Sequence, residues 1–396
     1  MSVSVKVGRL DVHGKVISEG ESFVVHKARN YVATAVDLCD LDITLISEEQ
    51  VQRLDSVDPY KEKKQIVQDI LSKGLRRVAV LGCTDCGKTS LITLMLNTML
   101  SSGIKAAVID SDIGQADIGP PGFVSLGYAY SPVYWVSEVK PNKMVFIGDV
   151  KPQAHTWAII SGVRRLVEVA NKDGFHYILL DTDGWVKDER AIDYKNSLIE
   201  MFRPDAIIVV GEELKGLFAR YSEFNISVYE VRAPVHRKVR SREERRNLRS
   251  SKYSEFLEGA PIVKSKINSV IVQGLPLLHG LEVNAATISN YVDGKVLYAS
   301  RLFGSLNLYG SIKGYSSEEL KRHNYERVKL HQYGVEKGLY CAVGQLGEFD
   351  YPCIIEKFNF ETREVLLRTK YTGKVEVLKV SKIKLTPDYN EEYVEV

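Results

Sequence analysis

The stretch from Gly82 to Ser90, with Cys83, Thr84, Asp85, Cys86, Gly87, Lys88 and Thr89 between, concentrates the chemistry of this chain. It fits G-x-x-x-x-G-K-[ST], the loop that cradles nucleotide phosphates. Gly82 and Gly87 let the backbone turn so that successive N–H groups converge on one anion. Lys88 adds a point charge for the β- and γ-phosphates, and Thr89 offers a hydroxyl to Mg²⁺. Gly82 to Ser90 are therefore the expected ATP-binding set. Cys83 and Cys86 also form a C-x-x-C, for which a redox or zinc pair is the alternative use. Both occupy loop positions where side chains are free to vary.

Carboxylates follow at two further places. The run Ala106–Asp110 leads into Asp110-Ser111-Asp112-Ile113-Gly114-Gln115. Carboxylates after the strand that follows a phosphate loop face the γ-phosphate, where one accepts a proton and others hold Mg²⁺. Asp110 and Asp112 share a face if the strand continues. Asp181 ends the apolar run Tyr177–Leu180, the Walker B pattern, and is a metal or water-orienting candidate. Trp185 stands beside Gly184 at the same edge, as core or as a platform for a base.

The third signal is basic. Between Arg232 and Lys252 lie Arg237, Lys238, Arg240, Arg242, Arg245, Arg246 and Arg249, opposed only by Glu243 and Glu244. Ser241 and Glu244 match a capping box, so a helix begins there. Arg242, Arg245, Arg246 and Arg249 then fall on one face. The reading is a lid that closes over phosphates; the bland alternative is a solvated charged helix.

The elements that must position these residues alternate. Strands are expected at Arg77–Leu81, Ala106–Asp110, Tyr177–Asp181, Asp205–Val210 and Ser227–Val231, with helices at 88–101, 154–171, 188–202 and 212–220. Such alternation implies an α/β fold, a P-loop-type, mostly parallel sheet with helices on both faces. Its ligand lies at the C-terminal strand ends. Residues 1–72 read as β-rich in their first half, with strands near Ser22–His26 and Tyr31–Val36. A charged connector, Asp58–Lys64, then leads into a helix over Gln65–Lys73. Beyond Lys266 short strands return, as a second β domain of barrel or sandwich type. The expected domains are 1–72, 73–262 and 263–396.

Composition bounds the rest. The 396 residues exceed one ordinary core, and the net charge of +2 leaves nucleic-acid binding to a local patch. The five cysteines are scattered, unlike a secreted disulfide framework. The start lacks an apolar signal core and no run reaches membrane-spanning length, so a cytoplasmic-type compartment is expected, with the nucleus open.

In this order, the pieces resemble the Clp1/Grc3 family of polynucleotide kinases. The resemblance rests on the phosphate loop, Asp112-Ile-Gly-Gln115 with Pro121-Gly122, and Phe146-Ile-Gly148 with Pro152. It continues through Thr182-Asp-Gly184-Trp185-Val186 and Arg240-Ser-x-x-x-Arg245-Arg246-x-x-Arg249. It implies a central kinase domain between smaller β domains, with transfer of the ATP γ-phosphate to the 5′-hydroxyl of an RNA or DNA end. By position it implies that Lys88 and Thr89 bind phosphates and Mg²⁺, and that Asp112 is the general base or a metal contact. Trp185 would stack on the terminal nucleotide, and Arg240, Arg245 and Arg249 would be lid arginines. Gln115 and Lys151 fall in the substrate-binding segments; Lys151 stands where the family commonly has Ser or Thr before the proline. RNA-processing protein partners are implied as well. Two other functions fit the same motifs: an ATP-binding scaffold without turnover, and an NTPase that switches partners.

Overall fold

A computed structural model of the chain describes residues 1–26, 29–45, 51, 61–234 and 239–395. They divide into two compact units, Met1–Arg245 and Arg246–Val396. The first 72 residues, expected as a separate domain, thus fall in one unit with the phosphate loop.

The first unit opens with six short strands, β1 (Ser2–Val7), β2 (Arg9–Val12), β3 (Lys15–Ser18), β4 (Ser22–Val24), β5 (Ala33–Ala35) and β6 (Asp40–Thr44). They make two three-stranded sheets, ordered β4-β1-β6 and β3-β2-β5. Val3, Val5, Leu10, Val12, Ile17 and Phe23 turn inward as one small core. Residues 58–60 of the expected connector lie outside the described residues, and the helix α1 (Lys61–Ser72) follows.

The large sheet holds seven strands: β7 (Arg77–Gly82), β8 (Ala106–Asp110), β9 (Phe123–Ala129), β10 (Pro141–Phe146), β11 (Tyr177–Asp181), β12 (Ala206–Val210) and β13 (Ser227–Val231). Their order is β10-β9-β8-β11-β7-β12-β13. The five strands read from the sequence pair in parallel. β9 and β10 add an antiparallel edge that the pattern did not announce; Ser125 and Gly127 interrupt the apolar run of β9. The decisive detail is that β11 sits between β8 and β7. Asp181 pairs in register with Asp110 on one side and Val80 on the other. The carboxylate strand ends are thereby set beside the phosphate loop that follows β7.

Helices α2 (Lys88–Ser101), α3 (Thr156–Lys172) and α4 (Glu189–Phe202) lie where the sequence placed them. The expected helix at 212–220 is instead two 3₁₀ segments, Glu212–Leu214 and Ala219–Phe224. Gly216, at φ 76° between them, ends the first.

The helix α5 (Arg242–Leu257) begins at the end of the first unit and continues in the second. It starts at the expected capping box, with Ser241 N–H donating to Glu244 Oε2 at 2.8 Å and Glu244 N–H to Ser241 Oγ at 3.1 Å. The second unit then adds β14 (Ile262–Lys266), β15 (Ile271–Gln273), β16 (Leu281–Val283), α6 (Ala285–Ser289), β17 (Val292–Leu302), β18 (Ser305–Tyr315) and α7 (Ser317–Arg322). It closes with β19 (Arg327–Gln332), β20 (Leu339–Gly344), β21 (Tyr351–Asn359), β22 (Glu364–Thr369), β23 (Val377–Leu385) and β24 (Glu391–Tyr393). It is built on two sheets. One runs β14-β22-β21-β20-β23-β15 with β24 on β23, the other β16-β17-β18-β19. Each has its own apolar cluster. Cys341 and Cys353, opposite each other on β20 and β21, form a disulfide that the scattered spacing did not suggest.

α2 carries the loop and is apolar on nearly every face: Leu91, Ile92, Leu94, Met95, Leu96 and Met99 are all buried. A helix buried all round needs cover on all sides. Its polar exception, Asn97, is fully buried and donates to His13 O and Val133 O at 2.8 Å each, while accepting from Val133 N–H at 2.8 Å. One side chain thus ties the N-terminal hairpin and the β9–β10 loop to the nucleotide helix. Asn97→Ala leaves those groups without partners. It should lower unfolding stability by about 2–4 kcal/mol, read from the midpoint shift in urea; a shift below about 0.5 kcal/mol would contradict this role.

Candidate active site

The loop between β7 and α2 is shaped by what cannot carry a side chain. Gly87, at φ 91°, caps α2 in the left-handed region. Gly184, from the loop after β11, lies so close that a Cβ there would meet the backbone N of Thr84 at 2.6 Å. Thr84 Oγ1 donates to Gly184 O at 3.3 Å. Lys88 is 6% exposed, and its Nζ donates to Cys83 O at 2.9 Å, curled over its own loop. Ser90 Oγ donates to Gly87 O at 2.8 Å and holds the first turn. Cys83 and Cys86 are buried side by side, and with Glu213 they form a group that could hold a metal ion. At these positions the loop offers an anion only its backbone.

Four carboxylates crowd the adjacent strand ends. Asp181 Oδ2 accepts from Thr89 Oγ1 at 2.7 Å, while its Oδ1 is buried with no hydrogen-bond partner among the described residues. Burial pushes this carboxyl up to about 7, against the opposing pull of Lys88 and of the Thr89 hydroxyl. A buried carboxylate oxygen without a donor, beside the phosphate-loop hydroxyl, fits a hard divalent cation such as Mg²⁺. Asp112 Oδ1 accepts from the N–H of Gly114 and Gln115 at 3.1 and 2.9 Å. Its Oδ2 has no partner among the described residues. Burial, reinforced by the charge of Asp183, raises its pKa.

Asp110 has a different task from the one expected of it. Its carboxylate accepts backbone N–H from Asp112 at 3.1 Å, Asp117 at 2.7 Å and Ile118 at 3.0 Å. Both oxygens are engaged in shaping the 112–118 loop, so Asp110 organises Asp112, and of the expected metal set Asp181 and Thr89 bond each other directly. Burial, then the charge of Asp181, raises its pKa. Asp183, which the motif carried without a role, is balanced by a residue the sequence reading missed. Lys195 on α4, fully buried, donates to Asp183 Oδ2 at 2.8 Å and to its carbonyl at 3.0 Å. Burial pulls this lysine below the ordinary range, and Asp183 opposes the shift. A lone lysine inside an amphipathic helix gives no signal of such a partner.

The arginines part company. Asp85, held at φ 59°, has a side chain only 4% exposed. It accepts from Arg240 N–H at 3.0 Å, Arg240 Nη1 at 3.2 Å and Arg245 Nη2 at 3.0 Å. Two lid arginines are therefore latched to the phosphate loop by one carboxylate. Arg245 keeps a buried Nε–H with no partner among the described residues. Arg249 goes elsewhere: its Nε and Nη2 make paired bonds of 2.7 Å to Glu391. Tyr253 Oη and Arg246 Nη2 also bond Glu391, through its side chain and its carbonyl. Arg249 thus anchors α5 to β24, through a partner that neither helical spacing nor the resemblance supplied; Glu391, far along the chain, could not be foreseen. Arg237 and Lys238 lie outside the described residues.

Among the residues expected to bind substrate, Trp185 N–H donates to Asp183 Oδ1 at 3.0 Å and its indole N–H to Asp188 Oδ2 at 2.8 Å. Its ring stacks near Tyr194, with centroids 6.0 Å apart. Gln115 turns its amide to Gly114 O at 2.7 Å. Lys151 is exposed and its N–H is held by Asp149 Oδ1 at 3.1 Å.

Residues 82–259 match the family described as mRNA cleavage and polyadenylation factor CLP1 P-loop. A protein named polyribonucleotide 5′-hydroxyl-kinase from Thermococcus kodakarensis is 30% identical over 318 residues, covering 76% of this chain and 84% of that one. One of the same name from Methanocaldococcus jannaschii is 33% identical over 233 residues, 58% of this chain. That alignment spans 64% of the relative, just under two thirds of its length. A solved structure of Clp1p with Pcf11p superposes with a TM-score of 0.65 at 12% identity, over 97% of this chain and 93% of that one. At that identity the likeness is one of fold. Among the described residues no helix is long and apolar enough to cross a membrane.

Two predictions follow from the geometry. An aspartate raised from 3.8 to about 7 binds its proton more tightly folded than unfolded. Its contribution to stability is present below the lower value and is lost as pH rises through the higher one. Asp181→Asn cannot ionise, yet keeps an acceptor for Thr89. It should melt a few degrees above wild type near about pH 8, with the gap closing near about pH 4. An equal difference at both pH values would contradict the shifted pKa. Asp85→Asn removes the charge that latches Arg240 and Arg245. Tryptic cleavage in the Arg232–Arg246 segment of the nucleotide-free protein should quicken by about tenfold, and an unchanged rate would show that the latch holds nothing.

Proposed function

The chain belongs to the Clp1-type P-loop family of polynucleotide 5′-hydroxyl kinases, and from that premise we propose that it transfers the γ-phosphate of ATP to the 5′-hydroxyl end of RNA. The names of its archaeal relatives favour polyribonucleotide as acceptor. The observation that carries the proposal is the convergence of three unlike parts on one loop: the buried Lys88, the latched Arg240 and Arg245, and Asp112 with an unengaged oxygen.

Each part has a task in phosphoryl transfer, where catalysis is mostly positioning and charge neutralisation. The loop N–H groups and the α2 N-terminus receive the phosphates. Lys88 exchanges Cys83 O for a phosphate oxygen. Thr89 and Asp181 would hold Mg²⁺, which neutralises phosphate charge when bound. Asp112 takes the proton of the attacking 5′-hydroxyl, a task for which a raised carboxyl pKa is suited. Arg240 and Arg245 are already poised over the loop and turn their guanidinium donors from Asp85 toward the transferring phosphoryl group.

The test is transfer of labelled γ-phosphate from ATP to 5′-hydroxyl RNA and DNA oligonucleotides. Lys88→Ala and Arg245→Ala should each lower kcat by at least about a hundredfold while melting within a few degrees of wild type. Wild-type turnover in either variant contradicts the assignment. ATP retained without any labelled oligonucleotide would make the protein an ATP-binding scaffold.

A further inference from the structure

The strongest feature outside the phosphate machinery is a cavity between the first turns of α3 and α4. It has a volume of about 210 Å³, and Gln153, Trp157, Trp185, Arg190, Asp193 and Tyr194 line it. We propose that this cavity is the subsite for the second nucleotide of the acceptor strand, with Trp157 as the stacking platform for its base. The proposal rests on the kinase reading above and names a part of the acceptor site that the phosphate loop, lid and Trp185 leave unfilled.

Trp157 is 72% exposed, against 6% for Trp135. Among the described residues its ring touches no other ring and its indole N–H donates to nothing. An indole left bare at the mouth of a cavity is a surface waiting for a flat partner, and every base has such a face. Tyr194 supplies the second observation. It is 3% exposed, its ring lines the cavity, and its hydroxyl faces the Asp183 carboxylate. Tyr194 thereby sets an aromatic wall of the cavity directly against the carboxylate cluster. Asp193 offers an acceptor for an exocyclic amine. Arg190 spends one Nη2–H on Gln153 O at 3.3 Å. Its other donors have no partner among the described residues and suit a phosphodiester.

The position points to the second nucleotide. Trp185 is fixed next to the reacting centre, since its neighbour Gly184 packs on Thr84 and its own N–H groups are held by Asp183 and Asp188. Trp157 stands on a different element, in the first turn of α3, and makes no ring contact with Trp185. Both indoles line the cavity from different elements, so the proposal gives each its own base, and a strand that uses both is at least a dinucleotide long.

The test compares wild type, Trp157→Ala and Trp157→Phe. A 5′-hydroxyl hexanucleotide with a 3′ fluorophore reports binding by anisotropy. Phosphate transfer is followed to the same strand and to a nucleoside 3′-phosphate. Trp157→Ala should raise the Kd and KM for the strand by about tenfold, with kcat within about twofold. Trp157→Phe should restore most of the loss. The KM for the nucleoside 3′-phosphate, which has no second base, should not change. Equal losses on both acceptors would put Trp157 in the first subsite and overturn the proposal, as would no loss on either. If wild type transfers no phosphate but binds the strand in a Trp157-dependent way, the kinase reading fails and the subsite stands.

Discussion

Negative charge at the end of the central sheet must be offset before this protein can fold, and the way it is offset defines the site. Asp110, Asp112, Asp181 and Asp183 come together in a largely desolvated corner. Unpaired, such a group of carboxylates would be strongly destabilising. Asp110 is satisfied by three backbone N–H groups, and Asp183 by the buried Lys195 and the Trp185 N–H. Asp181 and Asp112 are only half satisfied: among the described residues each keeps one oxygen without a partner, and both are pushed toward protonation. The two saturated carboxylates build the site, and the two unsaturated ones are left with capacity for a cation and a proton.

The same economy appears among the cations. Lys88, Arg240 and Arg245 would repel one another around an empty loop, and the loop's own oxygen atoms occupy them: Cys83 O for the lysine, the Asp85 carboxylate for the arginines. An incoming polyphosphate offers these groups a stronger partner at the same place. In the proposed reaction, binding and closure would be one exchange of ion partners. Arg246 and Arg249 are engaged by Glu391 and keep the rest of α5 seated in the second unit while its first turn serves the loop.

Much of this was legible in the residues. The phosphate loop, five parallel strands, three helices and the capping box at Ser241 follow from glycine spacing, apolar runs and helix signals, all local properties. The β9–β10 edge was not legible, because Ser125 and Gly127 break the apolar pattern that marks a strand. Neither was the loss of the helix at 212–220, where Gly216 outweighs the surrounding helix formers. The partner of Arg249 was hidden for a related reason. Helical spacing places four guanidiniums on a face, but it cannot say which carboxylate each will meet when one of them lies 142 residues away.

By itself the sequence determined the nucleotide loop, its lysine and hydroxyl, the acidic strand ends and an arginine-bearing helix, since each is written in contiguous residues whose chemistry depends on type and spacing alone. Only the tertiary structure decided which carboxylates stay open and which are spent on N–H groups or on Lys195. It alone sent Arg245 to Asp85 and Arg249 to Glu391, and left Trp157 bare beside Trp185. These are pairings across strands and helices distant in the chain. They are set by strand order, by β11 entering between β8 and β7, and by burial, and no local pattern encodes those quantities.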